Sequence, residues 1–189
     1  MKSTNIFLGI IFYMLMFHVH AQEVFRPLEQ SKMTIAGTSS LHDWESDVSQ
    51  IDGTARINIT SGNKLTIENL SVSIPVTSIK SGKSSMDKNT YEALKEKSHP
   101  EITFLMTDYT LNNGNQIQAR GKLTIAGVTK DVNINATYQM VDEDKINFTG
   151  TVPIDMTDYN IDPPTAVFGT IKTGKDVTLQ YDILFSSNK

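Results

Sequence analysis

The sequence contains no cysteine, which removes disulfides, thiol nucleophiles, thiolate metal sites and iron–sulfur clusters together. Histidine is nearly as scarce. Of four residues, His18 and His20 fall at the N-terminal apolar region, and only His42 and His99 lie beyond it. One follows the first strand and the other precedes Pro100, so no metal site is expected. Asp155, Asp158 and Asp162 cluster, but they lack the alternating ligands and glycine of a calcium loop and read as a solvated acidic loop. Basic clusters are missing too. Lys+Arg number 17 against Asp+Glu 21, for a net charge of −4, which is a poor basis for nucleic-acid binding. Long apolar runs are confined to Ile6–Phe17, short for crossing a bilayer.

That run has a second reading. Lys2 supplies a positive start, and Val19-His20-Ala21 puts small residues three before and one before a potential cut. The pattern predicts a secretory signal peptide over 1–21, a single domain over 22–189 and a periplasmic or secreted location. With no cysteine after the run, a bacterial lipoprotein anchor is not expected. An exported domain without disulfides must rest on its hydrophobic core, and a chain of this size buries roughly two thirds of its unfolded surface.

Past the cut, alternation with a period of two dominates, the mark of strands with one face on a core. Met33 and Ile35 alternate with Lys32 and Thr34, and Ala55, Ile57 and Ile59 follow after a reversal expected at Asp52-Gly53. Leu65 and Ile67 sit at odd positions whereas Leu70, Val72 and Ile74 are even. That one-residue slip predicts a β-bulge at Glu68-Asn69-Leu70. Pro75 belongs near the end of that strand. A short helix is expected over 86–97, capped by Ser85 or Asp87, with Met86, Tyr91 and Leu94 on one face. It is stopped by His99-Pro100. Ile102, Phe104 and Met106 resume the alternation before a hairpin turn at Asn112–Asn115. Gly121–Tyr138 then reads as two strands reversing at Ala126-Gly127, where Gly127 supplies a positive φ. A further strand runs through Phe148 to Ile154. The pattern lapses over 155–175, as in a long functional loop, and Val177 to Phe185 form a last strand. The tally is all-β, about eight strands and one helix in one domain.

Thr38–Trp44 holds the densest set of reactive groups. His42 and Asp43 could act as a base and its orienter, with Ser39 or Ser40 as nucleophile. Adjacent strand residues face opposite ways, however, and no Gly-Xaa-Ser-Xaa-Gly elbow exists. The structural alternative has Trp44 plugging one end of the fold, its indole N–H on a loop carbonyl. In a third reading, His42 and Trp44 touch a ligand at a cavity mouth. The inward positions Met33, Phe104, Met106, Tyr138, Phe148, Tyr181 and Phe185 are large or flexible. They could fill an eight-stranded barrel or line room for one ligand.

Two segments together resemble the YceI-like family of lipid/polyisoprenoid-binding proteins. The first is Gly121-Lys-Leu-Thr-Ile-Ala-Gly-Val-Thr-Lys-Asp-Val132; the second is Ser85-Met-Asp-Lys88, Tyr91-Glu-Ala-Leu94 and His99-Pro-Glu-Ile-Thr-Phe104. The resemblance spans roughly Val24 to Phe185 and departs from the family pattern at Leu41–Trp44, where a bulky Trp follows the histidine. It implies a single antiparallel eight-stranded, lipocalin-like barrel with one short helix, helix and 155–175 loop near one mouth. It also implies a non-enzymatic, cofactor-free binding protein holding an isoprenoid or lipid in the cavity. On this expectation the tail runs among Phe104, Met106, Tyr138, Phe148 and Tyr181, with His42 and Trp44 at its head. A cavity-poor barrel serving as a stress-related or surface interaction module, or an accessory enzyme built on residues 38–44, are the competing readings.

Export from a bacterial host should leave Gln22 as the first residue. Intact mass of the exported protein checks this, and a retained Met1 would refute it.

Overall fold

The computed structural model describes residues 23–60, 64–166 and 168–187; the signal peptide expected at 1–21 lies outside them. In chain order the strands are β1 (Val24–Pro27), β2 (Lys32–Ser39), β3 (Trp44–Val48), β4 (Asp52–Thr60), β5 (Lys64–Pro75) and β6 (Ile79–Lys80). After the helix α1 (Ser84–Ala93) come β7 (Glu101–Asn112), β8 (Gln116–Ile125), β9 (Val128–Asp142), β10 (Lys145–Asp155), β11 (Thr165–Ala166) and β12 (Ile171–Ser186).

Several are pieces of one longer strand. β1 and β2 lie end to end along the same side of β12. β4 pairs with β1 and β3 with β2, so β3 and β4 form the next strand round. β6 continues β5 by pairing with β3. Counted this way, eight composite strands run up and down and close on themselves through β12, all pairings antiparallel. The expected eight-stranded barrel is the observed one. Among the described residues no helix is long and apolar enough to cross a membrane.

Local sequence explains the bends. The register between β4 and β5 slips from Arg56↔Asn69 to Ile57↔Ile67, leaving Glu68 as the extra residue where the alternation changes phase. Below Ser71 the ladder from β5 to β7 stops, and the Tyr109 hydroxyl takes the Ile67 N–H at 3.0 Å. A buried amide is thereby satisfied where no strand reaches it.

Five expectations need correction. Asp52-Gly53 is not a reversal but the start of β4. A Cβ at Gly53 would lie 2.6 Å from the Ser71 carbonyl oxygen, so glycine serves close approach there. The helix covers Ser84–Ala93 and not 86–97. Asp87 does not cap it: its carboxylate accepts from Ser81 N at 2.7 Å and Ser81 Oγ at 2.6 Å, holding the preceding loop. Tyr91 faces β6, accepting from Lys80 Nζ at 2.7 Å, away from Met86 and Leu94. The stretch 155–175 is not structureless either. It contains a 3-10 turn at Met156–Tyr159, and Thr165-Ala166 pairs with Lys172-Ile171.

The two ends of the barrel differ. At one end Phe25, Leu65, Ile146 and Phe185 are each at most 1% exposed and plug the bore. At the other end stand the β2–β3 loop, α1, the β8–β9 turn and the β10–β12 connection. Part of this end is sealed by Leu123, Ile125, Tyr159 and Ile161, which pack with Leu94 and Met156.

The β8–β9 turn joins Ile125 directly to Val128 through Ala126 (φ 50) and Gly127 (φ 83). Positive φ at both central residues is the hairpin turn that matches strand twist. A Cβ on Gly127 would also meet the His99 ring at 2.5 Å. Gly127→Val should therefore destabilise the fold by more than about 1 kcal/mol. The urea midpoint measures this, and an unchanged midpoint would contradict it.

Candidate ligand-binding site

Between the plug and the mouth lies a cavity of about 380 Å³, within the size range of ligand pockets. Its floor is Phe148 against Phe185, edge to face with centroids 5.9 Å apart. Met106, Ile117, Leu179 and Ile183 form its sides. The rim comes from three places: Leu41, His42 and Trp44 of the β2–β3 segment; Met86, Asn89 and Thr90 on one stripe of α1; and Pro164, Thr165 and Ile171 of the last connection. Among the described residues no carboxylate lines it. Lys83 and His42 are the groups able to carry positive charge, and both are exposed at the rim.

Glycines keep the bore open. Gly37, Gly121 and Gly150 lie on inward faces, and each has an aromatic ring against it. A Cβ would come within 2.5 Å of the Trp44 indole at Gly37 and of the Phe104 ring at Gly121, and would collide with the Tyr181 phenol at Gly150. The rings thus lie along the wall where a larger residue beneath would tilt them across the tube. Interiors are ordinarily filled to crystal-like density; here the missing side chains leave room. Tyr181 reaches over Gly150 to donate to the Asn135 carbonyl at 3.3 Å, and burial pushes its phenol up to about 12.

Of the residues expected to meet a ligand, His42, Trp44, Phe104, Met106, Phe148 and Tyr181 all line this one cavity. Tyr138 does not. It stands opposite Phe148 and packs half-buried against the main core cluster, off the cavity lining. The Trp44 indole donates to the Thr38 carbonyl at 3.1 Å. His42 Nδ1 lies 2.6 Å from the Asp43 carbonyl; since a carbonyl only accepts, Nδ1 carries a proton. Ser39 Oγ donates to the His42 carbonyl at 2.7 Å and accepts the Leu41 and His42 amides at 3.2 Å. The serine closes a local turn and does not touch the imidazole. No group of three or more potential metal ligands occurs among the described residues. Sequence reasoning missed the α1 stripe and Ser46. The stripe was readable in the spacing Met86, Asn89/Thr90, Ala93/Leu94; Ser46 was hidden because Trp44–Val48 was not read as a strand.

A closed antiparallel meander around an apolar cavity defines a small β-barrel of the ligand-holding type. Residues 27–185 match the model of the YceI-like domain, and the chain belongs to that family. Solved structures agree on the fold. BcnA of Burkholderia cenocepacia superposes with a TM-score of 0.67 at 18% identity, covering 82% of this chain and 95% of that one. The YceI protein of Campylobacter jejuni gives 0.64 at 21%, covering 76% and 85%. A polyisoprenoid binding domain from Saccharophagus degradans, implicated in plant cell wall breakdown, gives 0.68 at 11%, covering 88% and 99%. A comparison with curated protein sequences finds no match.

The connection over the mouth is anchored at Asp155. Its carboxylate is bonded by Lys175 Nζ and accepts from Thr157 N at 2.9 Å and Thr157 Oγ1 at 2.6 Å. The lysine first, then the threonine, hold its pKa down at about 2. A depressed carboxylate stabilises the fold above its unfolded value of about 3.9, and that contribution is lost as pH falls through about 2. The urea midpoints of wild type and Asp155→Asn should therefore differ at pH 5 and converge as pH falls from about 4 to about 2. A gap that persists at the acid end would contradict the assignment.

Proposed function

We propose that this protein binds a long apolar molecule of isoprenoid or lipid type, non-covalently, and does so in the periplasm or outside the cell. The observation that carries the reading is the cavity itself: about 380 Å³, lined mostly by apolar side chains, with Lys83 and His42 at the rim. An isoprenoid chain is nearly insoluble in water. Each CH₂-sized unit buried contributes about 0.8 kcal/mol, so a tail can be held without a charged anchor. The Saccharophagus relative, a polyisoprenoid binding domain of the same fold, supports the choice of ligand class. The engagement of Ser39 and His42 with backbone groups favours binding over hydrolysis. Export is supported by Lys2, the apolar run and Val19-His20-Ala21.

The tail lies among Phe104, Met106, Phe148 and Tyr181, with His42 and Trp44 at the mouth. Met106→Lys would place a charge in the apolar wall, where an unpaired charge costs several kcal/mol. It should abolish retention of co-purified lipid while circular dichroism still reports a barrel. His42→Ala should weaken retention only modestly, since a neutral hydrogen bond is worth about 0.5–1.5 kcal/mol. Mass spectrometry of an organic extract of each variant reads the ranking, and the reverse order would move the site to the rim. A wild type that extracts clean from a lipid-rich host, with Trp44 emission unmoved by added isoprenoids, would overturn the reading.

A further inference from the structure

Three polar side chains are buried among the described residues: Ser46, Ser78 and Ser186. Ser78 Oγ donates to the Pro75 carbonyl at 2.7 Å, and Ser186 Oγ stands 3.4 Å from Asp144. Ser46 is 3% exposed, lines the cavity, and its hydroxyl meets no protein hydrogen-bond partner among the described residues. Trp44, Ser46 and Val48 share the inward face of β3, and Ile35 stands across from Ser46 on β2. One pleat repeat separates Ser46 from Trp44, so the hydroxyl lies about 7 Å inside the rim residue. An unpaired hydroxyl in an apolar wall is a cost that alanine or valine would avoid.

We propose that Ser46 is a specificity-determining residue: its hydroxyl donates to one uncharged oxygen of the bound chain, an alcohol, ester or ketone oxygen seated just beneath Trp44. The inference rests on the binding reading above and narrows its ligand class. A phosphate drawn down to Ser46 would exchange its water for a single neutral donor, far too little for a desolvated anion. A pure hydrocarbon would leave the hydroxyl unpaired. Tyr181 does not compete as donor, because its proton is already given to the Asn135 carbonyl. Asn89, Thr90 and Thr173 sit half-buried in the helix and the outer part of β12, nearer the solvent. The ligand so defined is a long apolar chain bearing one neutral acceptor close to its outer end.

The test uses three probes of one carbon skeleton, supplied from cyclodextrin and followed by Trp44 emission: geranylgeraniol, its parent hydrocarbon and its diphosphate. Wild type should bind the alcohol in preference to the hydrocarbon and the diphosphate. Ser46→Ala should lose affinity for the alcohol by about 2- to 12-fold, the worth of one neutral hydrogen bond, and should bind the hydrocarbon as well as wild type or better. Ser46→Thr, which keeps the hydroxyl, should keep the preference. An alanine variant with undiminished preference for the alcohol, or a wild type that prefers the diphosphate, would overturn the role of Ser46 and leave the binding reading standing. A wild type that binds none of the three would overturn both.

Discussion

Closure of the hydrogen-bonded ring is the constraint on which everything else depends. β12 pairs with β10 along one side and with β2 and then β1 along the other, so the strand that closes the ring offers no long open edge to another chain. The closing pairs Arg26↔Ser186 and Pro27↔Phe185 lie beside Phe25 and Phe185, both 1% exposed. Sealing the ring and filling its end are one event. A chain that failed to dock β1 would expose both strand edges and the largest rings of the core together.

With the cylinder closed, its contents follow from residue size. At the plugged end, leucine, isoleucine and phenylalanine meet across the axis and exclude water. Nearer the mouth, Gly37, Gly121 and Gly150 give up volume, and the rings of Trp44, Phe104 and Tyr181 occupy it by lying against the backbone. Large aromatic residues here enlarge the free space when paired with the right neighbour. The gain in hydrophobic surface is kept, and the loss of packing density is confined to one place.

Much of this was legible in the sequence. Period-two alternation located the inward faces, the phase change at Glu68 located a bulge, and Ala126-Gly127 located a turn, because each follows from local backbone geometry. The inward parity of Phe104, Met106, Phe148 and Tyr181 put them in one bore for the same reason. Other features depended on distant partners. Gly53 read as a turn because glycine permits one, yet its role is set by a carbonyl on β5. Tyr138 has the parity of a lining residue, but parity fixes the face and not the height along the axis. The helix ended early because Lys95 takes a left-handed conformation (φ 55), which nothing in its own propensity demands. Whether the bore would be full or empty hung on which ring lies over which glycine, a matter of cross-strand register.

The Phe148–Phe185 floor has a further consequence. A tube stopped at one end measures what enters it. A chain shorter than the bore leaves a void above the floor, and a longer one must fold back or trail into solvent; either way some of the gain from burial is forfeited. If the cavity holds such a tail, as proposed, its length is sensed as well as its chemistry, with the aromatic pair at the bottom as the zero mark of the scale.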